Sequence, residues 1–205
     1  MHASFRWLSL SMILISQGGC SFFSSPPPIT FDVTNPLNDS ASLSSRTKRV
    51  SHPQKYPPIL INEPLATQFI DSDSIVVHGP SGTLSALKGV RWSDRVPRIL
   101  QVRLVRELEN KGLIRQVMYP SEPAGAQRQL MWEVRRFQIA VFPDSSPSVQ
   151  IQVAARIMDI HSGHAVAARL FSATQPLERV NAPQAVAAFD SALSAIIFEI
   201  CAWIM

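Results

Sequence analysis

The sequence predicts an α+β fold: a single, mostly antiparallel β-sheet with two main helices packed on one face. Three observations carry that reading. Segments between residues 130 and 174 alternate apolar and polar side chains with a period of two and are joined by tight-turn residues. Residues 92–111 repeat leucine and isoleucine at helical spacing. Residues 182–204 do the same to the C-terminus. Sheets and helices that each bury one apolar side satisfy one another by layering.

In chain order, the N-terminus reads as a targeting segment rather than as fold. Arg6 supplies a positive charge, and Trp7 to Ile15 is apolar except for Ser9 and Ser11. The run is shorter than the roughly 20 residues a membrane-spanning helix needs, and it matches the length of a signal-peptide core, about 7–15 residues. Gly18 and Gly19 follow, then Cys20. A secretory signal does not call for cysteine at that point; a bacterial lipoprotein signal does, because the thiol takes a diacylglyceryl group and the freed amine is acylated. Gln17 departs from that pattern, which carries an apolar residue there. The plainer reading is a secreted protein with a chance cysteine. Each buried acyl methylene contributes about 0.8 kcal/mol, so several chains anchor durably where one does not. The expected organisation is therefore a signal peptide at 1–19, an acylated tether at 20–28 and one domain at 29–205. The likeness to a lipoprotein signal implies that Ser21, in place of an Asp that would retain the protein at the inner membrane, permits export to the outer one; Pro26 to Pro28 favour an extended tether. No other run is expected to be long enough to cross a membrane.

The domain begins with Ile29–Thr34, an alternating strand. Residues 35–58 are rich in Ser, Asn and Pro, with Arg46, Lys48 and Arg49 among them, and read as a mobile loop. Strands follow at Ile59–Asn62 and Ser74–His78, with a turn or short helix over Pro64–Ile70 between them. Gly79–Gly82 turns the chain into the second arm of a hairpin, Thr83–Leu87. Helix 92–111 is expected to be capped by Ser93 and to carry Pro97 in its first turn. It buries Ile99, Leu100, Leu104 and Leu108, places Arg95, Arg98, Arg103 and Arg106 on the outer arc, and ends at Gly112.

In the long strand 130–141, Leu130, Trp132 and Val134 have one parity and Phe137, Ile139 and Val141 the other. Only an inserted residue reconciles them, which predicts a β-bulge near Arg135-Arg136. Without further information, one of Trp132 and Phe137 points away from the helices, toward a partner or a second subunit. Val149–Ile160 faces Val149, Ile151, Val153, Ala155 and Ile157 inward, and His161-Ser162-Gly163 turns into Ala165–Thr174. The last helix, 182–204, has Asn181 and Gln184 at capping-box spacing and a stripe of Val186, Phe189, Leu193, Ile196, Ile200 and Trp203. Ile197 and Ile204 fall off the stripe and could serve a subunit contact.

Chemistry is sparse. His161 and His164 flank a turn and read as hairpin residues, not metal ligands. Residues 79–89 lack the contiguous Gly-Lys-Ser/Thr of a phosphate loop, and no Gly-x-Ser-x-Gly elbow occurs. No catalytic residue, metal or cofactor is assigned, and the protein is expected not to be an enzyme. A formal charge of +4 is too mild for a nucleic-acid binder. Cysteine occurs twice; if Cys20 is acylated, Cys201 has no disulfide partner.

Taken together, Cys20, the FDV strand, ILINEPLATQFIDSDSIVVH, Gly89–Trp92 with Ser93-Asp94 opening a helix, LMWEVRRFQIAVFP and the terminal helix give the chain a family likeness. It resembles the ABC-type transport auxiliary lipoproteins, which include the lipoprotein of the paraquat-inducible transport system. The resemblance implies a non-enzymatic, outer-membrane lipoprotein on the periplasmic side of a Gram-negative envelope. Its expected partner is the mammalian-cell-entry (MCE) domain subunit of an ABC transporter that moves lipids or other lipophilic molecules between membranes, docked by one copy or by a ring of copies. An outer-membrane assembly factor or cell-wall-binding lipoprotein is the alternative.

Overall fold

The computed structural model describes residues 26–34, 56–113, 116–121, 123, 125–143 and 146–205. Among them are nine strands in one sheet: β1 (Ile29–Phe31), β2 (Ile59–Ile61), β3 (Leu65–Ala66), β4 (Ser74–His78), β5 (Leu84–Trp92), β6 (Val117–Met118), β7 (Arg128–Ala140), β8 (Ser148–Asp159) and β9 (Ala165–Pro176). The helices are α1 (Val96–Leu108) and α2 (Ala182–Ile204). The expected signal peptide, Cys20 and residues 35–55 of the expected mobile loop lie outside the described residues.

The α+β layout with two helices is as expected, but the sheet is mixed rather than mostly antiparallel. β4–β5, β7–β8 and β8–β9 are antiparallel, whereas β1–β5, β2–β6, β2–β7, β3–β7 and β4–β7 are parallel. Hairpins announce themselves locally by turn residues, but parallel pairs join segments far apart in sequence through crossovers. β7 is the organiser. One edge pairs with β8 along nearly its whole length; the other receives β2, β3 and β4 in succession.

The predicted bulge is present. The β7–β8 register shifts between Val134 and Arg136, so Arg135 is the inserted residue. Its consequence overturns the expectation for Trp132 and Phe137. The bulge resets the alternation, and Leu130, Trp132, Val134, Phe137 and Ile139 all turn to the helix side. Trp132 is 4% exposed and Phe137 fully buried. Neither presents its ring to a partner. Phe137 stacks on Phe189 of α2 at 4.8 Å, and Trp92 packs edge-on against both rings.

α1 starts later than expected. Arg95, not Ser93, is its N-cap residue, and it makes no side-chain cap bond. Ser93 is engaged by the segment around β1 instead: its N–H donates to the Phe31 carbonyl (2.8 Å) and its hydroxyl to Asp32 Oδ1 (3.2 Å). Pro97 lies in the first turn, where no amide is needed. Ile99, Leu100, Leu104 and Leu108 are fully buried. A π-turn over Glu109–Leu113 ends the helix, with Gly112 at φ +88°, a left-handed conformation open to glycine.

Arg103 departs from the outer arc. It is 3% exposed and pinned between the helices. One guanidinium nitrogen donates to the Val33 carbonyl (2.6 Å) and to Asp190 of α2 (3.1 Å), and the other donates to Ser194 Oγ (2.8 Å). A buried charge is tolerated when its partners satisfy it this fully. The same contacts fasten residues 29–34 to the domain, with Val33 wholly buried.

α2 has the predicted bounds. Asn181 Oδ1 accepts from the Gln184 N–H (3.0 Å), but Gln184 Oε1 reaches past the cap to the Arg179 N–H (3.1 Å). Ile197 and Ile204 are buried, 2% and 3% exposed, so neither is free for a subunit contact. With 23 residues and a mean hydropathy of 1.8 over its best 18-residue window, α2 is long and apolar enough to cross a membrane. That corrects the reading that no further run was. Its stripe nevertheless packs on β8 and β9, as in a core helix. Cys201 sits in that core, and burial pushes its thiol up to about 12, with Glu107 adding to the rise, so it stays protonated and inert.

Candidate functional site

One face of the sheet is covered by helices; the other carries the surface most open to a partner. Its residues come from the alternate positions of β7, β8 and β9, from β3, and from the turn between β3 and β4. Several large apolar side chains stand out there: Leu65, Met131, Val166 and Leu170 toward one end, Phe69 and Leu84 toward the other. Leu65 is 68% and Leu170 50% exposed.

Two shallow grooves score this face. The larger, about 390 Å³, is lined by the small Ala154 and Ala168, the longer apolar Leu65, Met131 and Leu170, and the charged Glu133, Arg135 and Arg156. Small side chains on neighbouring strands leave the pleat uncovered, and the longer ones beside them form the walls. The second, about 280 Å³, is lined by Phe69, Val76, His78, Leu84, Arg136 and Gln138. Arg135 borders both. The bulge explains this: an extra residue in the middle of β7 turns two successive arginines outward between the grooves.

The polar groups of the face are unevenly paired. Arg135 Nε contacts Glu133 Oε2 at 3.2 Å. Arg136 and Arg156 are exposed, with no carboxylate within 4.0 Å among the described residues. Gln138, only 8% exposed, hydrogen-bonds His78 Nδ1 at 3.0 Å, and His78 meets Phe142 edge-on. Val76 is 2% exposed although it lies outside the main core cluster, so the open face has a small packed patch of its own.

Elsewhere the polar groups serve structure. Trp132, the expected partner-facing indole, spends its N–H on the Asn62 carbonyl at 2.6 Å, and Asn62 Nδ2 in turn donates to the Leu130 carbonyl at 3.0 Å. Arg95 bridges Glu63 (2.6 Å) and Asp71, tying the Asn62–Asp73 excursion to the start of α1. At the β8–β9 turn, Asp159 Oδ1 accepts from the Ser162 N–H (2.7 Å) and hydroxyl (2.9 Å), and these bonds hold its carboxyl below the ordinary range. His161 and His164 belong to this turn, as expected of hairpin residues. Among the described residues no three His, Cys, Asp or Glu side chains group as metal ligands.

The open-face residues were missed in the sequence although their signal was present. Met131 and Leu170 occupy outward-parity positions where an ordinary solvated strand carries polar residues.

The geometry is matched by known proteins. The family model described as ABC-type transport auxiliary lipoprotein component matches residues 40–201. Protein bll6063 of Bradyrhizobium diazoefficiens is 31% identical over 175 residues, which are 85% of this chain and 44% of that protein, so the chain spans less than half of that relative. Among solved structures, protein XCC0632 from Xanthomonas campestris, of family DUF330, is 27% identical; the likeness covers 75% of this chain and 86% of that one, with a TM-score of 0.68. The structure of an uncharacterized protein shares the fold at 13% identity and a TM-score of 0.62, over 87% of this chain and 99% of that one. With a match across most of its length, the chain belongs to the family of ABC-type transport auxiliary lipoprotein components.

Proposed function

We propose that this protein is the lipid-anchored, non-enzymatic docking subunit of an ABC-type system that moves lipids or other lipophilic molecules across a Gram-negative envelope. Residues 1–19 direct export. Acylated Cys20 holds the chain at the periplasmic face of the outer membrane, and residues 20–28 span the gap to the domain. The domain meets the periplasmic MCE-domain subunit on its open sheet face.

The observation that carries this reading is the family match over residues 40–201, joined to a sheet whose uncovered face is apolar and arginine-rimmed. Apolar surface of that kind is characteristic of interaction sites. An acyl anchor on one side and a docking face on the other suit a subunit that receives a partner arriving from the opposite membrane.

Two measurements test it. Cells fed labelled palmitate should incorporate it into the wild-type chain and not into Cys20→Ser, and the variant should leave the membrane fraction. Purification from detergent-solubilised envelopes should recover an MCE-domain subunit. Label in the variant, or recovery of no such subunit while other envelope complexes survive, overturns the proposal.

A further inference from the structure

We infer that the open sheet face docks a protein segment of apolar–acidic–apolar character, its carboxylates on the arginines of the β7 bulge and its apolar residues in the grooves on either side. This rests on the docking role proposed above and adds what the partner must present.

The argument starts from charge. Glu133 is engaged by Arg135, whereas Arg136 and Arg156 have no carboxylate partner among the described residues. An occupant of this face therefore meets uncompensated positive charge at Arg136, in the middle, and again at Arg156, which pairs across from Met131 toward the far end of the larger groove. The argument continues with shape. The grooves of about 390 and 280 Å³ share Arg135; the larger runs toward β8 and β9 and the smaller toward β4 and β5, on opposite edges of β7, so they lie on opposite sides of the bulge. Met131 borders the first and Gln138 the second, about 20 Å apart along β7 at roughly 3.3 Å per residue. Six or seven residues of an extended segment cover that span, as does a helix of about 13 residues at 1.5 Å rise.

This arrangement favours a polypeptide over other occupants. A phospholipid runs its acyl chains the same way from one headgroup, whereas these grooves open on opposite sides of the arginines. A second copy laid face to face would set arginine against arginine, and like charges juxtaposed across an interface disfavour it. A chain with apolar anchors at both ends and carboxylates between them matches all three features. Its carboxylates also steer encounter and fix register.

The experiment places the photo-crosslinker p-benzoylphenylalanine at Ala168, in the larger groove, in the full-length protein in living cells. Adducts are mapped by mass spectrometry. The expected result is a partner segment with acidic residues flanked by apolar ones. Combining Arg136→Glu with Arg156→Glu should cut adduct yield at least ten-fold, and Lys in place of the mapped acidic residues should restore it. If the double reversal lowers the melting temperature, Arg136→Gln with Arg156→Gln replaces it and should cut the yield several-fold. Adducts only with lipid or with a second copy, a mapped segment without carboxylates, or a yield indifferent to the charge changes would overturn the inference. The two proposals separate cleanly. A matching segment from a protein other than an MCE-domain subunit keeps this inference and removes that partner. Undiminished recovery of an MCE-domain subunit by the charge-reversed variant keeps the partner and removes this inference.

Discussion

The two faces of the sheet treat the same residue type in opposite ways. On the helix side Arg103 is sealed from water, and its donors are taken by Val33, Asp190 and Ser194. On the open side Arg136 and Arg156 stand exposed, with no carboxylate beside them among the described residues. Apolar residues divide likewise. Phe137 is locked between Trp92 and Phe189, whereas Leu170 lies half in solvent. The contrast separates stability from recognition. A side chain whose contacts are complete within the chain holds the fold together, and one whose contacts are incomplete is available to something else.

The sharpest way to break that contrast is to empty the helix side. Phe137→Ala removes a ring that is fully buried and stacked, and should cost about 4 kcal/mol, through lost transfer energy and the cavity left behind. Denaturant unfolding of the purified protein measures it; a loss under about 1 kcal/mol would mean that Phe137 is not a keystone of the core.

Next in size is the buried pair. Arg103→Met removes the buried guanidinium from beside Asp190 and should cost about 3 kcal/mol. Adding Asp190→Leu should recover much of that loss, because an apolar pair needs no charge compensation. If the double variant is no more stable than the single one, the interaction is not the reason for the penalty.

The open face should behave in the opposite way. Leu170→Ser should change stability by no more than about 0.5 kcal/mol, because the side chain is half exposed already, yet it should weaken recovery of the partner. A substantial fall in melting temperature would place Leu170 among the structural residues and blur the division.

The smallest effect concerns the fastening of residues 29–34. Partial burial, the largest single influence on Asp32, raises its carboxyl. Hydrogen bonds from the Thr34 N–H and hydroxyl and from Ser93 outweigh it, and the net value is lowered. A carboxyl depressed by folding stabilises the folded state above its ordinary, unfolded value, and that contribution disappears as pH falls through the folded one. Wild type should therefore lose a slight stability advantage over Asp32→Asn on acidification from neutrality to about pH 3. An advantage independent of pH would remove Asp32 from the fastening.

Much of this architecture is legible in the residues. The bounds of α2, the β4–β5 hairpin, the inward stripe of β8, the Gly163 turn and the bulge in β7 all follow from local periodicity and turn chemistry. The candidate site is legible only in fragments. Arg135 and Arg136 mark the bulge, but nothing local says that Leu65, Ala154 and Leu170, from three separate strands, line the same groove.

By itself, the sequence determined the two helical stripes, the alternating strands and the need for an inserted residue near Arg135. Each is a matter of side-chain period within one segment. It also supplied the ordered motifs by which the family was recognised. The tertiary structure alone decided that the sheet is mixed, that Trp132 and Phe137 share one side, that Arg103 is buried, and that two grooves flank the bulge. Those outcomes depend on which distant segments come to lie side by side. Local period says which way a side chain turns, and only the assembled sheet says what it then meets.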